Sequence, residues 1–160
     1  MRLRIKRTGN QKGLTLVELL AVIVILGIIA AIAVPAIGSI IENSRKDAQI
    51  ANAENIYNAA RLAVASESIV ASDTDTWTFY ATEAETDNTD TSRTDSRLNL
   101  LEERYLDTTP QDPHGDGVYT DAYITYDGSE YTVVLNEYFG AGGTAISTIR
   151  SSDRDIVNLD

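Results

Sequence analysis

Residues 19–41 read LLAVIVILGIIAAIAVPAIGSII, 23 positions at which Ser39 is the one polar side chain. As a helix this run would measure roughly 35 Å, enough to cross the hydrocarbon core of a bilayer. A helix apolar on every side has no solvent face to offer, so it belongs in lipid or inside a larger assembly. Ahead of it, residues 1–13 hold five bases (Arg2, Arg4, Lys6, Arg7, Lys12) and no acid. That bias keeps the amino end in the cytoplasm and sends the carboxyl side out.

An ordinary secretory signal needs an apolar region of about 7–15 residues and then a small-residue cleavage site. This run is longer, and it is followed by Glu42, Asn43 and Arg45. A plain single-span anchor fits the hydropathy but leaves Glu18 unexplained. An acid within an apolar span is costly and marks a functional site that needs a partner.

The string Lys12-Gly13-Leu14-Thr15-Leu16-Val17-Glu18 ahead of an apolar helix resembles the class III signal of type IV pilins and their pseudopilin relatives. The resemblance covers residues 12–41. It implies that a membrane peptidase cuts between Gly13 and Leu14 and methylates the new Leu14 amine. It places Glu18 at the fifth position of the trimmed chain, Gly27 at the fourteenth and Pro35 at the twenty-second. Leu14 departs from the phenylalanine that major filament subunits more often carry. The resemblance implies assembly into a helical homo-oligomer, in which Glu18 of one copy meets the Leu14 amine of its neighbour. Each charge would be costly alone in a poorly solvated place and tolerable when paired, and the pair would fix axial register. Gly27 and Pro35 weaken the helix between them, since proline removes one hydrogen bond and crowds the preceding turn. The family reading is that this stretch melts when the helix leaves lipid.

Beyond the span the pattern becomes amphipathic. Ile50, Ala53, Tyr57, Ala60 and Val64 alternate three- and four-residue spacings, which predicts a core-facing helix over residues 42–70. No proline lies between Pro35 and Pro110, so span and amphipathic part read as one helix of about 57 residues from Leu14, or roughly 85 Å. Trp77 and Phe79 alternate with Thr78 and Tyr80, a strand pattern. Residues 81–97 are rich in Asp, Thr and Ser and read as an exposed acidic loop tolerant of insertion. Leu98, Leu101 and Tyr105 suggest a short helix capped near Asp95 or Ser96. Asp127-Gly128 between two alternating runs is a hairpin signal. Residues 145–149 fit a strand or a helical turn equally. The fold class is α+β: a long N-terminal helix packed on a small antiparallel sheet formed from residues 118–150. The domain plan is a cleaved leader at 1–13, a transmembrane helix at 14–41 and a globular domain at 42–160.

Without residues 1–13 the chain carries 8 bases against 24 acids, a formal charge of about −16. Such a surface repels phosphate backbones, so nucleic acid is not an expected partner outside a DNA-uptake machine. There is no cysteine, and His114 is the single histidine. No Ser-His-Asp set or phosphate loop appears, so no enzyme is expected. Asp112, Asp116 and Asp121 lie on a glycine-bearing loop and could be weighed as calcium ligands. The loop departs from the EF-hand pattern, and the aspartates read better as solvated turn residues, with His114 at the surface. No cofactor is expected. Asp112-Pro113-His114-Gly115 resembles an Asp-Pro-aromatic-Gly turn of pseudopilins. The tyrosines Tyr119, Tyr123, Tyr126, Tyr131 and Tyr138 read as sheet surface and core. Expected partners are other copies, the prepilin peptidase and a membrane assembly platform. Two fates follow from the resemblance, a surface pilus or the pseudopilus of a secretion or DNA-uptake system. A membrane-anchored binding domain that never polymerises is a third.

Overall fold

The computed structural model describes residues 11–69, 76–83 and 96–159, with side chains from Leu16 onward. Its first element, α1 (Gln11–Ser66), is one helix of 56 residues that runs through Pro35. The chain divides into two compact units after Glu42. In the first unit every large apolar side chain from Leu16 to Ile41 is exposed, Leu16 and Leu19 at 66%. It is the one described helix long and apolar enough to cross a membrane.

The second unit is built on the amphipathic half of α1. The expected stripe is present but wider. Ala53 and Ala60 are fully buried, as are Ile56 and Ala63, while Ile50, Tyr57 and Val64 flank them. Sealing a side chain such as Ile56 from water contributes about 1.5–3 kcal/mol. The helix ends at Ser66 rather than near Val70. Ser68 takes φ +50°, and the Ile69 N–H reaches back to the Val64 carbonyl at 3.1 Å. A left-handed residue just past the last turn closes a helix in this way.

The strands are β1 (Trp77–Tyr80), β2 (Arg97–Asn99), β3 (Gln111–Asp112), β4 (Gly117–Val118), β5 (Ala122–Tyr126), β6 (Tyr131–Leu135) and β7 (Thr144–Ala145). They are followed by α2 (Ile146–Ser152) and a 3-10 turn (Asp153–Ile156). Five strands form one sheet in the order β2-β1-β5-β6-β7, and β3 pairs with β4 separately. The sheet is antiparallel except between β1 and β2, which run parallel. It therefore reaches well outside residues 118–150, with β5 rather than a later strand at its centre. Phe79, Ile124 and Val133 line up across β1, β5 and β6 and are fully buried with Ala53 and Ile56 in the core.

The hairpin at Asp127-Gly128 forms as the sequence indicated. Asp127 Oδ1 accepts from the Ser129 and Glu130 N–H groups, both at 2.8 Å, and Gly128 takes φ +98°. The segment 145–149 resolves into both alternatives, β7 ending at Ala145 and α2 starting at Ile146.

Two expectations are corrected. The short helix around Leu98–Tyr105 does not form. Leu98 pairs with Phe79 in the sheet, and Asn99 Oδ1 accepts from the Leu101 N–H at 2.9 Å, folding the chain into turns at once. The acidic loop does not begin at residue 81 or reach residue 97. Ala81 and Thr82 are buried, the Ala81 N–H bonds the Ala122 carbonyl, and Arg97 is in β2. Residues 84–95, the bulk of that expected loop, lie outside the described residues.

Candidate functional site

The first unit is chemically simple. Gly13 and Leu14 fall in the first turn of α1, whose backbone starts at Gln11, three residues ahead of the expected cut. Glu18 stands one turn further on, solvent-exposed among exposed Leu16, Val17, Leu19 and Leu20. Pro35 has no N–H, so the Ala31 carbonyl lacks its donor within the helix. Gly27 has no atom within 4 Å of the position its Cβ would take. Close packing inside a single copy therefore does not require glycine there. The helix is unbroken through both residues.

In the second unit the polar groups converge on Asp112, which is 8% exposed. Its Oδ1 accepts from Gln49 Nε2 at 3.0 Å and from the His114 N–H at 2.9 Å. Its Oδ2 accepts from the Tyr138 hydroxyl at 2.8 Å and Asn136 Nδ2 at 3.3 Å. Gln49 Oε1 in turn accepts from the Tyr119 hydroxyl. Asn52 Nδ2 donates to Tyr119 at 2.8 Å and to the Gln111 carbonyl at 2.9 Å. One carboxylate thus ties α1, the β3–β4 turn and the segment after β6 together. Burial works to raise the Asp112 pKa, but the bonds from His114, Tyr138, Gly115 and Gln49 outweigh it and hold the carboxyl below its usual range. Burial, and then the bond to Asp112, push the Tyr138 phenol up to about 12.

This corrects the reading of Asp112 as a solvated turn residue. Asp116 and Asp121 are exposed, as is His114. Among the described residues no three His, Asp or Glu side chains are grouped to hold a metal, and both Asp112 oxygens are occupied by protein donors. Tyr119 and Tyr138 belong to this polar network. Tyr126 and Tyr131 stack at 4.3 Å between centroids, with Tyr57 of α1 edge-on to Tyr131 at 5.1 Å. Tyr123 sits 5.8 Å from Tyr80.

Sequence reasoning missed Gln49, Asn52 and Asn136. Gln49 did leave a trace, a polar residue four before Ala53 on the core-facing stripe. It also missed the anchoring of the C-terminal segment. Arg150 bonds Glu54 through Nε–Oε1 and Nη2–Oε2, both at 2.7 Å, with its Cζ 4.6 Å from the Tyr57 ring centre. Arg154 grips Asp47 in the same two-pronged way, Nη2–Oδ2 at 2.9 Å. The bond from Arg154 lowers the Asp47 pKa, and the bond from Glu54 raises that of Arg150.

Compared with known protein families, residues 8–34 match the prokaryotic N-terminal methylation motif. The chain carries the signal of type IV pilin-like precursors. The motif spans the expected cut at Gly13–Leu14, Glu18 and the first part of the apolar helix, and the rest of the chain lies outside it. A long N-terminal helix against a small, mostly antiparallel sheet is the arrangement of type IV pilins. No curated protein and no solved structure matches the chain. Its motif and the one described helix long and apolar enough to cross a membrane fit a membrane-anchored, pilin-like precursor.

Proposed function

We propose that the chain is cut after Gly13, methylated at Leu14 and assembled through α1 into a type IV pilus at the cell surface, serving adhesion, aggregation or motility. The observation that carries this is a helix whose large apolar residues from 16 to 41 are all exposed, overlapping a methylation motif at residues 8–34, with one acid at Glu18. In lipid that surface is satisfied. Outside lipid it has to be covered, and other copies of the same helix can cover it. Glu18 then has a partner, the Leu14 amine of an adjacent copy. Gly27 and Pro35 supply the place where the helix can loosen as it changes surroundings.

A size suited to a surface domain, a long acidic segment and the lack of cysteine favour the pilus. Leu14 in place of phenylalanine bears on whether the chain is the major subunit; the second reading is a pseudopilin of a secretion or DNA-uptake machine. Electron microscopy and immunoblotting of sheared surface material test the proposal. Long filaments containing the trimmed chain are expected. Trimmed chain held wholly in the membrane fraction, with no filament in the sheared material, would overturn it.

A further inference from the structure

Where the described backbone takes a clearly positive φ it usually does so at glycine, but Asp153 also has φ +56°. It combines this with ψ −153°, a pairing that only glycine adopts without strain. Asp153 joins α2 to the 3-10 turn, and the chain is fastened differently on its two sides. Ahead of it the hold is firm. Ile149 is 1% exposed, and Arg150 forks onto Glu54 while lying over the Tyr57 ring. Past it the hold is light. Arg154 meets Asp47 with both side chains about half exposed, a pairing that water and salt weaken. Val157 is the one buried side chain of residues 154–159, with Ile156 and Leu159 packed partly against the core. Two backbone bonds complete the attachment, from the Val157 N–H to the Arg154 carbonyl at 3.1 Å and from the Asn158 N–H to the Tyr138 carbonyl at 2.9 Å.

We propose that residues 154–159 form a strap that opens as a unit at Asp153 while α2 and the sheet stay folded, with the strained Asp153 backbone as the spring. Strain of this kind persists only while the structure on both sides imposes it, and it relaxes once one side lets go. Here it works against the burial of Val157 and the Arg154–Asp47 pair. The strap is tied to the Asp112 network from two directions. Arg154 reaches α1 at Asp47, two residues before Gln49. Asn158 holds the carbonyl of Tyr138, whose hydroxyl donates to Asp112. Closure therefore registers the position of the Asp47–Gln49 turn relative to Tyr138. A displacement that parts Asp47 from Arg154 removes the strap's one ion pair and tips the spring toward release. Opening turns Ile156, Val157 and Leu159 outward, an apolar strip in a chain rich in acid. The proposal stands whether or not the chain forms filaments.

Hydrogen exchange at single amides, followed by NMR on the full chain in detergent, tests it. The Val157 and Asn158 amides should exchange roughly tenfold or more faster than those of the β5–β6 ladder and the last turn of α2, the mark of an opening smaller than global unfolding. Equal rates throughout would mean that the strap leaves only when the domain unfolds, and would overturn the proposal. Asp153→Gly relieves the strain and should slow the two strap amides about tenfold, whereas Asp153→Ala keeps the strained backbone and should exchange at least as fast as wild type. Exchange in Asp153→Gly as fast as in wild type overturns the spring. Equal slowing in Asp153→Ala overturns it too, because the effect would then belong to the carboxylate. Asp47→Asn should speed the strap amides several-fold, on the scale of an exposed ion pair, and leave those of α2 unchanged. Acceleration of both alike would show that α2 and the strap move as one piece, against the hinge.

Discussion

Replacing Asp112 by alanine removes at once the acceptor for the donors of Gln49, His114, Asn136 and Tyr138 and for the Gly115 N–H. Part of that loss is recovered where water can enter. The expected cost is about 2–4 kcal/mol, since bonds to a charged group contribute about 1.5–3 kcal/mol each and are not additive. Denaturant unfolding followed by the fluorescence of Trp77, the single tryptophan, measures it. The same carboxylate has a pH signature. Its folded pKa is depressed, so its contribution is present above the unfolded value, about 3.9, and is lost as pH falls through the folded one. Asp112→Asn should flatten the loss of stability below about pH 4, and a variant as acid-sensitive as wild type would show the network to be idle. Glu18 stands at the same scale with a different readout. Glu18→Ala makes α1 more apolar and leaves Gly13 and Leu14 untouched, so trimming and membrane retention should persist while filaments are lost from the sheared fraction. Normal filament yield would mean that register is set elsewhere. Glu18 was legible because an acid in an apolar run contradicts its surroundings. Asp112 was not, because Asp, Pro, His and Gly together look like any surface turn. Only the distant Gln49, Tyr138 and Asn136 make it a buried hub.

Among the elements, those specified by local pattern were the ones readable in advance: α1, β1 and the β5–β6 hairpin. Those that depend on a distant partner were not. Leu98 of β2 shares a helix-like spacing with Leu101 and Tyr105, and only pairing beside β1 makes Arg97–Asn99 a strand. The end of β7 is similarly decided from outside. Gly143 takes φ +83°, and a Cβ there would lie 2.5 Å from the Val133 carbonyl oxygen. Gly143→Ala therefore meets backbone that cannot yield and a conformation that disfavours side chains. It should destabilise by more than about 1 kcal/mol, read as a lowered melting temperature with the apolar half of α1 unaffected. An unchanged melting temperature would show that the turn before β7 relaxes freely.

For the whole molecule, the first quarter of the sequence carries the methylation motif, and the predictions at this scale concern how the chain is handled. The mature protein should begin at Leu14, carrying a methylated amine, and intact-mass spectrometry of the purified chain checks this directly. Gly13→Val should leave the leader attached, because a side chain beside the scissile bond obstructs the peptidase. A wild-type chain still beginning at Met1 in cells that have the peptidase would contradict the processing scheme. The uneven charge, basic in residues 1–13 and acidic after, was plain from composition. The partners of Asp47 and Glu54 were not, because Arg154 and Arg150 reach them from 107 and 96 residues away in sequence.

Those partners have a mechanical meaning. Arg150 and Arg154 grip Glu54 and Asp47, seven residues apart on α1, like two rivets joining the C-terminal segment to a rod. Both must be released before the C-terminal segment can leave the helix. The same segment buries Ile146, Ile149 and Val157. Fraying that starts at the carboxyl end therefore meets Arg154 first and Arg150 second, so the last segment is guarded twice.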